Sequence, residues 1–227
     1  MKTMKTNPFK LGLWLLLAGG MSLVSCTKND KTTIVPVGTE YYIDDIFSVV
    51  SDSAFWAAFR PYPEGPIPPK IEGSYVVGPV QRVGSNMPAA DWPLQIVDPN
   101  IYLDFSEQQN GLVVMEMNET SDHVTDTVFV MGHDLDFTVY CIEDKEIEDF
   151  VYQDISYRLK VRRGVVMTGT VDTVMVEGKV NPKGFANFRM ATIIMDMESE
   201  PEGAPLQPSG SYFIYKDGDG YTERIDL

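Results

Sequence analysis

The spacing of hydrophobic positions along this chain changes twice. Residues 11–18 (LGLWLLLA) form an almost unbroken apolar run, and residues 41–60 carry Ile43, Ile46, Phe47, Val50, Ala54 and Ala57 at helical spacing. From residue 71 onward apolar and polar side chains alternate with a period of two. The middle stretch predicts one helix, or two short ones broken near Ser51 and Asp52, with Asp44 and Asp45 in the first turn and Pro61 as its stop. Its aromatic residues Phe55, Trp56 and Phe59 are expected to pack against the domain. Residues 61–70 (PYPEGPIPPK) hold five prolines and predict an extended connector.

The clearest strand lies at 155–162. Ile155, Tyr157, Leu159 and Val161 share one face there, while Ser156, Arg158, Lys160 and Arg162 share the other, the pattern of a half-buried antiparallel strand. Ile101, Leu103 and Phe105 alternate with Tyr102, Asp104 and Ser106, and Gln109-Asn110-Gly111 then supplies a hairpin turn into 112–117. Further strands are predicted at 72–78, 124–131, 134–142, 165–180, 185–197 and 211–216. Asp217-Gly218-Asp219-Gly220 reads as a hairpin turn into a return strand at 221–226. About nine or ten strands, with no helix of comparable strength among them, predict an all-β, mainly antiparallel domain. An up-and-down meander of that size closes into a barrel; two packed sheets in a β-sandwich are the alternative. Residues 80–99 (VQRVGSNMPAADWPLQIVDP) show no alternation and predict a long loop, in which Trp92 either pins the loop to the core or caps a pocket.

The amino terminus reads as an export signal. Lys2, Lys5 and Lys10 precede the apolar run with no acid among them, and small residues lead from it to Cys26. Leu23-Val24-Ser25-Cys26 resembles the lipobox of bacterial lipoproteins. The resemblance implies cleavage before Cys26, lipidation of its thiol and acylation of the new amino terminus. The apolar run is far short of the ~20 residues that a bilayer span needs, and several acyl chains on one residue meet the requirement for stable anchoring. The boundaries that follow are a signal at 1–25, a flexible tether at 26–40, the helix and connector at 41–70, and the β-domain at 71–227. The expected location is the cell envelope, lipid-anchored to the outer membrane at its periplasmic face or at the cell surface.

Charge then narrows the partners. Cleavage removes three of the 18 lysine and arginine residues and none of the 33 acids, moving the formal charge from −15 to −18. Such a chain repels nucleic acid and anionic lipid. With Cys26 lipidated, Cys141 has no intramolecular disulfide partner, and its place beside Leu135, Phe137 and Val139 on one strand face predicts a buried, inert thiol. His123 and His133 belong to no zinc-type spacing, and no Gly-x-Ser-x-Gly turn is present. Asp217 to Gly220 lacks the continuation that a calcium loop of the EF-hand type requires. No enzyme chemistry, metal or cofactor is expected.

Ile71-Glu72-Gly73-Ser74-Tyr75-Val76-Val77, following a helix and opening a meander, resembles the Gly-x-Trp strand that begins lipocalins and related calycin barrels, with Tyr75 in place of the tryptophan. Many small lipoproteins of Bacteroidetes share the layout of lipobox, spacer and lipocalin-like barrel. The resemblance implies a barrel with room for about one small apolar ligand. Tyr75, Leu103, Phe105, Tyr157 and Leu159 would then line it, with Trp92 near its mouth. The alternative function is a surface glycan-binding or assembly module, as in polysaccharide-uptake accessory lipoproteins and fimbrial subunits, presenting Trp92 or Tyr221. Asp52-Ser53-Ala54, Asp126-Thr127-Val128 and Asp172-Thr173-Val174 are similar to the tripeptides at which Bacteroidetes attach O-glycans, which would make Ser53, Thr127 and Thr173 acceptors.

Overall fold

The helical stretch forms two helices, α1 (Thr39–Ser48) and α2 (Ser53–Phe59), in a computed structural model that describes residues 39–59, 65–87, 100–119 and 122–226. All of these belong to one compact unit, Thr33–Leu227. Asp52 marks the break between the helices. Its Oδ1 accepts a hydrogen bond from the Ala54 backbone N–H at 2.8 Å, capping α2, and its Oδ2 accepts one from the Tyr212 hydroxyl at 2.9 Å.

Ten strands follow: β1 (Gly73–Val77), β2 (Val80–Ser85), β3 (Ile101–Gln109), β4 (Leu112–Glu119), β5 (Asp122–His133), β6 (Asp136–Tyr152), β7 (Ile155–Val176), β8 (Lys179–Glu200), β9 (Tyr212–Asp217) and β10 (Tyr221–Arg224). All their pairings are antiparallel and run in meander order from β3 to β9. The sheet closes because β10 pairs with β1 on one side and β8 on the other. β1, β3, β4, β5, β6, β7, β8 and β10 thus form a hydrogen-bonded ring of eight strands, and β2 and β9 extend its seam. The two-sheet sandwich does not form: the sheet closes on itself through β10, which leaves each of the eight ring strands paired on both sides.

Several sequence expectations need correction. Residues 80–85 are a strand, because β2 pairs with β9 along Val80↔Asp217 to Ser85↔Phe213. The alternation was hidden by Arg82, which shares the inward face with Val80, and by the bulge beside Gly84. Asp217 to Gly220 is a bend, not a hairpin: β9 pairs with β8 at 189–193 and β10 continues in the same direction at 184–186. β7 runs without a break through 163–164, where Arg163 turns inward and Gly164 faces α1. A Cβ on Gly164 would lie 2.8 Å from Ile46, so the glycine lets the helix close on the strand.

The main core lies inside the ring and includes Tyr75, Leu103, Phe105, Met115, Phe137, Val139, Cys141, Met167 and Phe185. On the outside, Ile46, Val50, Phe55 and Phe59 of the helices pack on Tyr140, Val166, Ile193 and Ile214. The expected packing role of the α2 aromatics is what the structure has: Phe55 meets the Tyr212 ring edge-on at 5.0 Å, and Trp56 lies 4.9 Å from Phe47. Leu135 and Ile155 fall in or beside hairpin turns and are half exposed rather than buried with their strand faces.

Candidate functional site

Alternation on β1 and β3 brings three of the expected ligand-binding residues together. Tyr75 pairs with Leu103 and Gly73 with Phe105, so all three side chains enter the ring from neighbouring strands, each at most 1 % exposed. Tyr75 stacks on Phe185 with centroids 4.0 Å apart, Phe137 packs on Phe185 at 4.7 Å, and Phe105 sits 6.1 Å from Tyr75. The Tyr75 hydroxyl donates to the Ile71 carbonyl at 3.0 Å, and burial pushes its pKa up. Phe185, at the centre of this cluster, was not singled out from the sequence. The left-handed Asn187 (φ 55°) inserts an irregularity that puts Phe185 and Phe188 on the same core, so a strict period of two separates them.

Tyr157 and Leu159 lie elsewhere. They pack with Phe150, Val161 and Ile194 in a second apolar cluster, where β6, β7 and β8 run on together beyond the ring. Residues 157, 159, 161, 163, 165 and 167 of β7 share one face, so the two clusters lie along a single inward stripe. Between them stand Arg163 and Glu143, paired across β6 and β7 at 2.5 Å and only 14 % and 6 % exposed. The Cys141 thiol, fully buried on the ring side, lies 4.0 Å from Glu143 Oε1; burial and the nearby Glu143 charge push its pKa up, as an inert thiol requires.

The outer face of the three-strand extension is an ionic grid. Arg158, Lys160 and Arg162 on β7 are flanked by Asp144 and Glu146 on β6 and by Asp196, Glu198 and Glu200 on β8, and Glu148 at the β6 bulge reaches Arg158 at 3.8 Å. Lys160 reaches Glu200 at 3.0 Å, Arg158 reaches Glu146 at 3.3 Å, and Arg162 reaches Asp144 at 3.5 Å. The grid borders a shallow cleft of about 440 Å³ with carboxylates in excess of cations.

A second cleft, of about 380 Å³, opens beside β1 and β10. Arg224 lies across Gly73, donates to Asp226 at 2.6 and 3.1 Å, and reaches the Pro182 carbonyl at 2.9 Å. The guanidinium holds the Asp226 carboxyl below its usual pKa, and Lys70, 2.7 Å away, does the same for Glu72. A side chain reading missed here is Gln108: a bulge turns it to accept from Ile71 N–H and donate to the Pro69 carbonyl, each at 2.8 Å, clipping the connector to the barrel.

Tyr221 is not a free stacking surface. Its ring crosses Gly184, its hydroxyl donates to Asp172 at 3.1 Å, and Lys183 stands 5.7 Å over the ring. Burial and Asp172 raise its pKa to about 12, so the phenol stays protonated. At the bend, buried Asp217 accepts from Thr222 at 2.9 Å and Gly78 N–H at 3.3 Å through Oδ2, while Oδ1 is buried without a donor. Burial raises its pKa, and the adjacent Asp219 carboxylate adds to the effect. Among the described residues no three His, Cys, Asp or Glu side chains converge as metal ligands.

Ser53, Thr127 and Thr173 are all solvent-exposed. Cys26 and Trp92 lie outside the described residues. No protein-family model, curated protein or solved structure matches the chain.

Proposed function

We propose that the protein is an envelope lipoprotein, held at the membrane through Cys26, whose barrel is a solid scaffold for binding at its surface. One observation carries this reading: the inward positions that would line a ligand cavity are occupied by the protein's own side chains, with Phe185 in ring contact with Tyr75, Phe105 and Phe137. A ligand seated there would have to displace close-packed aromatic groups, at several kcal/mol each. The inward stripe of β7 is also interrupted by the buried Arg163–Glu143 pair, which would face an apolar chain threaded from one cluster to the other.

The outside offers polar relief instead. The ionic grid on β6, β7 and β8 and the cleft beside Arg224 both present fixed carboxylates and guanidinium groups suited to hydrogen-bonding a glycan or a polar protein surface. An assembly or glycan-binding module is therefore the better supported of the two functions. Native mass spectrometry on the protein purified from its host's membranes tests the choice. The expected result is a barrel without a retained small molecule; a stoichiometric fatty acid or other apolar ligand would restore the carrier reading.

A further inference from the structure

The hairpin joining β7 to β8 leaves the barrel. β6 stops pairing with β7 at Thr170 and β10 stops pairing with β8 at Gly184, so Thr173 to Pro182 pair only with each other. Both edges of this ribbon lack a strand neighbour among the described residues. Four residues beyond the bulge at Thr173 at about 3.3 Å per residue project about 13 Å. Two-stranded ribbons of this kind are marginal alone, and their side chains here are the reverse of a solvated tip: Met175 and Val180, directly paired, are 63 % and 64 % exposed, with Val176 beside them at 42 %.

The opposite end of β7 also exposes apolar groups, Val151, Tyr152 and Ile155, but there Glu148, Asp149 and Asp154 surround them. The β7–β8 ribbon carries only Glu177 and Lys179, which cancel, and at its base Lys183 is paired with Asp172 at 3.7 Å. In a mature chain of formal charge −18 the ribbon carries no net charge, so its apolar tip lacks the acidic excess that repels an anionic lipid surface. We infer that the β7–β8 ribbon inserts Met175, Val176 and Val180 into the headgroup–acyl boundary of the membrane to which the protein is tethered. The inference rests on the anchored reading above, since a tethered domain meets that surface at high effective concentration. Insertion to a depth of about 5–10 Å is within the ribbon's reach. It would set the orientation of the barrel on the membrane.

The test uses the full mature protein, reconstituted into phosphatidylcholine vesicles containing phosphatidylglycerol. A fluorophore is placed by Met175→Cys or, as the opposite-end control, by Val151→Cys; Cys141 is buried and leaves the label site-specific. Phospholipids with a nitroxide on the acyl chain should quench the Met175→Cys label strongly and the Val151→Cys label little, and adding Val180→Asp should largely abolish the quenching. Equal quenching at both ends, or none at Met175→Cys, overturns the inference. A Met175→Cys label shielded from aqueous iodide yet untouched by nitroxide lipid also overturns it, because a protein then covers the ribbon. The intact mass of the same sample reports acylation of Cys26, so failure of the anchor and failure of ribbon insertion are read separately.

Discussion

The two apolar clusters along β7 are built from the same alternating pattern but in different surroundings. The ring cluster is enclosed by strands on every side and centred on stacked aromatics, whereas the cluster of Tyr157, Leu159 and Val161 lies under a three-strand extension. The outer cluster is covered in part by the segment after β8, where Ala204 packs on it and the Gln207 N–H reaches Met197 Sδ at 3.4 Å. A face that alternates cleanly is therefore no guide to how completely it is enclosed. Enclosure depends on whether strands distant in sequence return to the same place, as β10 does beside β1 and β8.

The largest effect is expected from Phe185→Ala, which empties the centre of the ring cluster. It should cost roughly 3–5 kcal/mol by denaturant unfolding. Arg163→Met comes next: it leaves the Glu143 carboxylate buried without its partner and should cost about 3 kcal/mol, with most of that loss recovered when Glu143→Leu is added. Absence of recovery in the double variant would mean that the pair does more than divide the clusters. Leu159→Ala should cost about 2–3 kcal/mol, the lower end of the range for such a truncation, since its cluster is free to collapse under a less rigid cover. A loss equal to that of Phe185→Ala would erase the distinction between the two regions.

A smaller effect concerns the seam of the ring. The fold raises the pKa of Asp217, so its contribution to stability is fully present below the ordinary carboxylate range and is lost as pH rises through the raised value. Asp217→Asn should therefore melt higher than the unmutated protein at neutral pH, and the advantage should vanish in acid; thermal melts across pH check both. The smallest effect is expected on the grid beside the outer cluster. Lys160→Ala breaks an exposed contact with Glu200 and should leave the unfolding midpoint unchanged within error, at low and high salt alike.

Much of the wall of this barrel was legible in the chain. Alternation placed Leu103, Phe105, Leu159 and Val161 on buried faces, Asn110-Gly111 adopt the left-handed turn that their residue types favour, and the break at Asp52 separates two helices. Where reading failed, a polar side chain or an extra residue had disturbed the period. Arg82 and Arg163 face inward, and the bulge near Asn187 moves Phe185 and Phe188 onto one core.

By itself the sequence determined a mainly antiparallel β-meander, the helices before it and the apolar side of most of its strands, because turn chemistry and side-chain period act between near neighbours. Only the tertiary structure decided that β9 and β10 bend past Asp217 instead of forming a hairpin, that Tyr75 meets Phe185, and that Tyr157 and Leu159 stand in a cluster apart. Period tells which face a residue occupies, but not which distant residue waits opposite. That is set by ring closure, and the free energy of closure belongs to pairings between strands far apart in the chain, such as Tyr75 with Arg224.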